Sequence, residues 1–404
     1  MSGNENSGDG EFDDVINAED ILHVIELDDN RDISEVMEEA DLGEDFDDDM
    51  EASGGQIEVQ DMAGVVFDKH KDAVFSVHID PNTSQLAVTG GQDDTAFVWK
   101  ISTGEVLFEC TGHKESVTCT SFSHDGTYVA TADLSGLVKV WKVETKEDVF
   151  TFECSDAEWM KWHPASHVLF LGTVDGDIWM WKIPSGECKT LQSHGCTVSC
   201  GVILSDGKRM CVGYDDGSLK IWDLKSVSVQ HNITGVNAHK STVLCVDTHP
   251  VNNVILSGST DVTARAYNSS TGKLLGSYDC SSPETEEDSV EAVALSPTHS
   301  YAATGTVAGV LSIWDTNTQI CRHKCRHEGG IVSVQWDRLT PQVYTSCLDG
   351  AIRLWDARNG EMVSKWTGHT DSILGFDVSR DGKYLVTVSE DKTARVFSLS
   401  TSDR

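Results

Sequence analysis

The chain has 404 residues, with 30 Lys and Arg against 66 Asp and Glu, giving a formal net charge of −36. That charge excludes a duplex nucleic-acid binder, which needs a basic face to displace counterions from phosphate, and no stretch approaches the ~18 apolar residues of a membrane helix. An acidic chain instead attracts and steers basic partners.

The charge is concentrated at the start. Residues 1–61, together with Met62, hold 23 acidic side chains and one basic one, Arg31. Self-repulsion and sparse apolar content predict an acidic, largely disordered tail over 1–61. Two apolar pieces interrupt it. One is Ile21–Leu27; the other is Ile33, Val36, Met37 and Ala40, which fall on one helical stripe. They can be read as a docking peptide, as an internal mimic that covers a site for a basic partner, or as apolar residues within a solvating tail. The first residues carry neither a basic n-region nor an apolar h-region, so the 12 cysteines are expected as reduced thiols in a cytoplasmic protein, with the nucleus also open to it.

From residue 62 onward a repeat sets the organisation. A β-rich segment ends in an aromatic residue at Trp99, Trp141, Trp181, Trp222, Tyr267, Trp314, Trp355 and Phe397, at intervals of 40 to 47 residues. Six residues before the aromatic stands Asp93, Asp175, Asp216, Asp261, Asp349 or Asp391; Ser135 and Ala308 fill the slot in the other two units. Near the start of six units stands His70, His113, His194, His239, His327 or His369. Alternating runs such as Val117–Phe122 and Leu137–Trp141 read as strands, and His124-Asp125-Gly126 and Arg380-Asp381-Gly382 as turns.

Eight units in phase, with Trp222-Asp223, Trp314-Asp315 and Trp355-Asp356 closing three of them, resemble the WD-repeat family. The resemblance implies an all-β fold, an eight-bladed WD-repeat β-propeller over 62–404 with one four-stranded sheet per blade. Too little chain follows Phe397 for an outer strand, so the segment 62–68 is expected to pair with the last blade and close the ring. Within each blade the Asp can accept from the His, and the His can connect through Ser or Thr to the Trp indole, giving buried polar groups partners. Trp99 with Asp93, Thr89 and His70, and Trp355 with Asp349, Thr345 and His327, are two such expected sets.

No phosphate loop, dinucleotide turn or nucleophile elbow occurs, so no catalysis and no cofactor is expected. Cys321, His323, Cys325 and His327 alternate along one strand face. Same-face neighbours ~6.6 Å apart cannot converge on one zinc, so no metal is expected there. The basic stripe Arg322, Lys324 and Arg326 opposite them reads as solvated surface.

The loop bearing the His precedes the innermost strand of each blade. An acid stands two residues before that strand's first apolar residue at Asp72, Glu115, Asp288 and Asp371. The Asp-bearing turn opens on the same face and adds Asp94, Asp215 and Glu390, and the unit lacking its His offers Asp156, Glu158 and Trp159. One face is therefore expected to carry a ring of carboxylates, with Trp159 as aromatic contact, suited to a Lys/Arg-rich polypeptide. The insert 281–288 reads as an acidic loop near the same rim.

Within the family, Ala87–Asp94, Glu158–Pro164 and Trp179–Lys182 resemble a group with a fungal member that chaperones a basic large-subunit ribosomal protein and animal members associated with migration and angiogenesis. This implies a scaffold or chaperone without catalysis, and the leading expectation is a chaperone for a basic ribosomal protein, acting as a monomer. The alternatives are a signalling scaffold or, from Trp355-Asp356-Ala357-Arg358, a substrate receptor of a cullin ubiquitin ligase.

Overall fold

The computed structural model describes residues 60–192, 195–282 and 287–399. The expected tail up to residue 59 with its two apolar pieces, His194 and half of the acidic insert 281–288 lie outside the described residues. Those described form eight four-stranded antiparallel sheets, the blades of a β-propeller, numbered 1 to 8 here in chain order.

The innermost strands are Val74–Ile79, Val117–Phe122, Ala157–Trp162, Cys200–Ile203, Val243–Thr248, Val290–Leu295, Ile331–Trp336 and Ile373–Val378. Each neighbours the next, and the last neighbours the first, so they line a closed ring. In seven of them a β-bulge follows the first residue, as between Val74 and Ser76 or Ala157 and Trp159. A bulge adds twist and leaves one residue unpaired just inside the His-bearing rim.

The blades hold together because each sheet buries both faces against its neighbours. Small residues on one blade receive large ones from the next: Ala130 and Ala132 of blade 2 share a core with Met160, Trp162, Leu169 and Leu171 of blade 3. Continuous β-branched and aromatic runs in the middle strands follow from this two-sided burial.

Blade 8 takes its outermost strand from the other end of the domain. Val65–Phe67 pairs antiparallel with Ala394–Ser398, Val65 opposite Val396 and Phe67 opposite Ala394. Phe67 then reaches the next blade, its ring stacked 4.6 Å from that of Trp99 at 12°. The pairing removes the free edge that would otherwise invite intermolecular strand addition.

Candidate functional site

The blade networks fix the loops of one face. In blade 1 the Trp99 indole donates to Thr89 Oγ1 (3.3 Å), Thr89 lies 3.0 Å from His70 Nε2, and His70 Nδ1 lies 3.0 Å from Asp93 Oδ1. The arrangement assigns the ring proton to Nδ1. Asp93 Oδ2 also accepts from the Lys71 N–H (2.8 Å), stapling the His loop to the Asp turn. Burial pushes the Asp93 carboxyl up, but the bonds from His70, Lys71 and Thr95 outweigh it and hold it at about 2. Blades 5 and 8 repeat the set through His239–Asp261–Ser257 and His369–Asp391–Thr387.

Two blades depart from the sequence reading. In blade 2 Ser135 fills the Asp slot, yet His113 still finds a carboxylate: Asp133, two residues earlier, lies 3.0 Å from Nδ1. Asp133 also accepts from the Ser135 and Leu137 amides, so it caps the turn from inside the strand. In blade 7 His327 meets Thr345 (2.8 Å) and Trp355 donates to Thr345 (3.2 Å), but the expected His327–Asp349 bond is absent. Arg353, four residues on, donates to Asp349 from Nη1 and Nη2 at 3.1 and 2.5 Å, leaving His327 Nδ1 buried without a hydrogen bond. Burial first, and the Arg353 cation second, push His327 down to about 4.

Blades 3 and 4 have Leu171 and Val212 where the others place the hydroxyl, and the Trp181 and Trp222 indole N–H groups are buried without a partner. An unsatisfied buried donor costs about 1–3 kcal/mol.

These networks bring the His loops and Asp turns to one rim, the end where the innermost strands begin. Asp94, Glu115, Asp156, Glu158, Asp215, Asp371 and Glu390 are exposed there, and Asp72 and Asp288 are half-buried. Asp288 Oδ1 is occupied by the Ser289 and Ala308 amides. Asp72 accepts from the Ala73 amide and stands 3.5 Å from Lys392 Nζ. Asp94 holds a left-handed backbone (φ 58°) at the turn position where blades 2, 3, 4, 6 and 7 place Gly136, Gly176, Gly217, Gly309 and Gly350. An aspartate tolerates this conformation at some cost.

The rim is uneven. Lys114 pairs with Glu153, and Lys392 approaches Asp72, so cations dilute blades 1, 2 and 8. Blade 3 differs. Without a His to engage it, Asp175 is exposed, joining Asp156 and Glu158, and among the described residues none of the three makes an ion pair. The Glu158 carboxyl is pushed up first by burial and then by the neighbouring Asp156 charge. Asp175 was legible in the sequence as an Asp without its His.

Trp159 is not the surface contact expected of it. It is 7% exposed, packed between blades 3 and 4, and its indole donates to the Val198 carbonyl at 3.1 Å. Gly172 of blade 3 and Gly201 of blade 4 make the room: a Cβ on either would fall 2.2–2.4 Å from the indole. The bulge before Trp159 turns it into the blade interface while leaving Glu158 exposed.

Other singled-out residues separate. Cys325 Sγ contacts the Gly360 carbonyl, His323 the Arg358 carbonyl and His327 Thr345, so that alternating set does not converge. Arg322 and Lys324 are exposed, bonded to Asp315 and to the Ser281 carbonyl. Arg358, in the stretch Trp355–Arg358, folds back on Asp356 at 3.0 Å.

Against known proteins, the family description "WD domain, G-beta repeat" matches residues 64–100, 104–142, 186–223, 230–268, 272–315, 319–356 and 360–398. The longest stretch passed over, 143–185, holds the three inner strands of blade 3. The chain is 45% identical over 410 residues to the angio-associated migratory cell protein of Homo sapiens, covering 96% of this chain and 94% of that one. It is 25% identical over 390 residues to the ribosome assembly protein SQT1 of Saccharomyces cerevisiae, covering 85% and 88%. The crystal structure of Chaetomium thermophilum Sqt1 bound to the N-terminus of the ribosomal protein L10 matches the fold with a TM-score of 0.77 at 23% identity, covering 84% of this chain and all of that one.

Proposed function

The chain belongs to the WD-repeat family, in the group of the angio-associated migratory cell protein, and on that footing we propose that it is a non-catalytic propeller that holds a basic segment of a ribosomal protein against the carboxylates of its His-bearing rim. The observation that carries this reading is blade 3. Asp156, Glu158 and Asp175 stand exposed on the rim and, among the described residues, make no ion pair, and Asp215 of blade 4 is exposed on the same rim.

Lys and Arg side chains from a client would supply the missing counterions. The carboxylates would stand in for the ribosomal RNA phosphates that such a segment meets later, and RNA, with its denser charge, would take the client away. A rigid ring suits this role because the carboxylates are set before the client arrives and little ordering remains to oppose binding. The relative from S. cerevisiae is a ribosome assembly protein, and the Sqt1 structure holds the N-terminus of L10; both support a ribosomal protein as client here.

The test is calorimetric titration of the N-terminal peptide of L10 from the same organism into the full chain and into the double variant Glu115→Lys with Glu158→Lys. Both side chains are exposed, so the melting temperature should stay within about 2 °C, while the affinity should fall by more than about tenfold. Equal affinities in the two proteins would remove the rim as the binding surface.

A further inference from the structure

On the opposite face, where the innermost strands end, we infer a binding site for a first-row divalent transition-metal ion of the Zn²⁺ type, built from His124 and Asp125 of blade 2 and His167 of blade 3. The two histidines and the aspartate come from turns of adjacent blades that lie 42 residues apart in the chain. One ligand atom from each lies within 4.8 Å of the other two.

Asp125 is held rigidly. Its Oδ1 accepts from Ser123 Oγ (2.8 Å) and the Thr127 amide (3.1 Å), and its Oδ2 accepts from Thr127 Oγ1 (2.7 Å). The same Oδ2 lies 3.0 Å from His167 Nε2. The His167 ring stands edge-on to Tyr128 at 4.9 Å and 85°. The His124 ring lies 5.2 Å from that of His167, and its Nδ1 is buried without a hydrogen-bond partner. A satisfied inter-blade latch needs only His167 and Asp125; it gives no account of a second imidazole brought alongside with an unpaired ring nitrogen.

The chemistry selects the ion. Tetrahedral ligands at ~2.0–2.1 Å from zinc are about 3.3 Å apart, so closure asks for movements of about 1.5 Å, within reach of rotation of two half-exposed rings. Two imidazoles and one carboxylate suit zinc and its neighbours and do not suit Ca²⁺ or Mg²⁺, which take oxygen ligands. Three protein ligands leave a coordination position for water or for a group from a partner. The side chains of His167 and Asp125 are 32% and 37% exposed, so an ion can enter from solvent. Once bound it would clamp blade 2 to blade 3.

The experiment uses the full chain labelled with ¹⁵N-histidine and titrated with Zn²⁺, a redox-inert probe that does not oxidise the free thiols. At one equivalent the ring signals of two histidines should shift, and they should be the signals lost in His124→Gln and in His167→Gln. Affinity by calorimetry should fall more than about tenfold in each variant, beyond what loss of a supporting residue gives. Gln at 124 removes no hydrogen bond of the fold, so that variant stays folded, and near-ultraviolet circular dichroism checks both. Unmoved rings for these two histidines, or zinc affinity unchanged in the two variants, would overturn the site, because zinc held elsewhere, as at Cys196 with Asp215 and Asp216, leaves these two rings untouched.

Discussion

Replacing Phe67 by Ala should open the ring. The strand Val65–Phe67 has only three residues with which to hold the last blade closed. Its anchors are the pairing with Ala394–Ser398, the Gly64 amide on the Val396 carbonyl (2.9 Å), the Met62 amide on the Thr367 carbonyl (3.0 Å) and the Phe67 ring. Phe67 is 1% exposed and sits in a core with Trp99, Val386, Val388 and Val396, so its truncation removes contacts to two blades at once. A buried Phe→Ala change costs about 3–5 kcal/mol, which for a domain of this size lowers the melting temperature by roughly 4–7 °C. Scanning calorimetry gives the shift. Hydrogen exchange locates it, because the amides of Ala394–Ser398 should exchange far faster while those of blades 3 to 6 keep their protection. Val66, its neighbour in the same strand, is 42% exposed, and Val66→Ala should change stability by no more than about 0.5 kcal/mol. A Phe67→Ala protein that melts and exchanges like Val66→Ala would show that the N-terminal strand does not close the ring.

Three further outcomes follow from the networks and the rim. His327 is held near 4 against an ordinary 6.5, so the unfolded chain binds the extra proton first. Its contribution to stability is complete above pH 6.5 and is lost as pH falls towards 4, and His327→Gln should flatten part of the decline in melting temperature over that window; an unaltered decline would refute the assignment. Val212→Thr places a hydroxyl ten residues before Trp222, as Thr89 stands before Trp99, and the orphaned indole should accept it as partner. Chemical denaturation should show no loss, against the penalty of about 1–3 kcal/mol expected of a buried hydroxyl without a bond; a loss of that size would mean that the indole is not aimed at the slot. Asp94→Gly relieves a left-handed aspartate and should raise stability by about 0.5–1 kcal/mol, while weakening a basic peptide at the rim. A stabilised protein with unchanged peptide affinity would take Asp94 out of the site.

The propeller was legible because its signal is redundant. Eight aromatics near a 42-residue beat, six Asp and six His in phase leave little freedom for the architecture. What the sequence concealed lies in contacts between blades or in competition for one partner. Asp349 keeps the beat, yet Arg353 stands one strand-turn away with a stronger donor and takes it from His327. Asp133 is off the beat by two residues and does the work of the missing Asp, since a side chain at the strand's end reaches the same turn. Trp159 reads as a surface aromatic because it lies beside Asp156 and Glu158 in the unit that lacks its His. Its burial depends on Gly172 and on Gly201 in the next blade, a complementarity that one strand does not reveal. The His124–Asp125–His167 cluster is hidden for the same reason, its members being brought together only when blades 2 and 3 dock.

Recognition of a cationic client by the carboxylates of blade 3 has one direct signature, the dependence of affinity on ionic strength. The dissociation constant of the basic L10 peptide should be measured from low salt to several hundred millimolar for the native chain and for the variant carrying Asp156→Asn, Glu158→Gln and Asp175→Asn. Attraction among exposed charges should weaken the native complex steeply as the screening length falls from about 10 Å at 0.1 M, and the neutralised variant should start weaker and show a shallower slope. A native affinity indifferent to salt, or the same slope with and without those three carboxylates, would contradict an electrostatic rim.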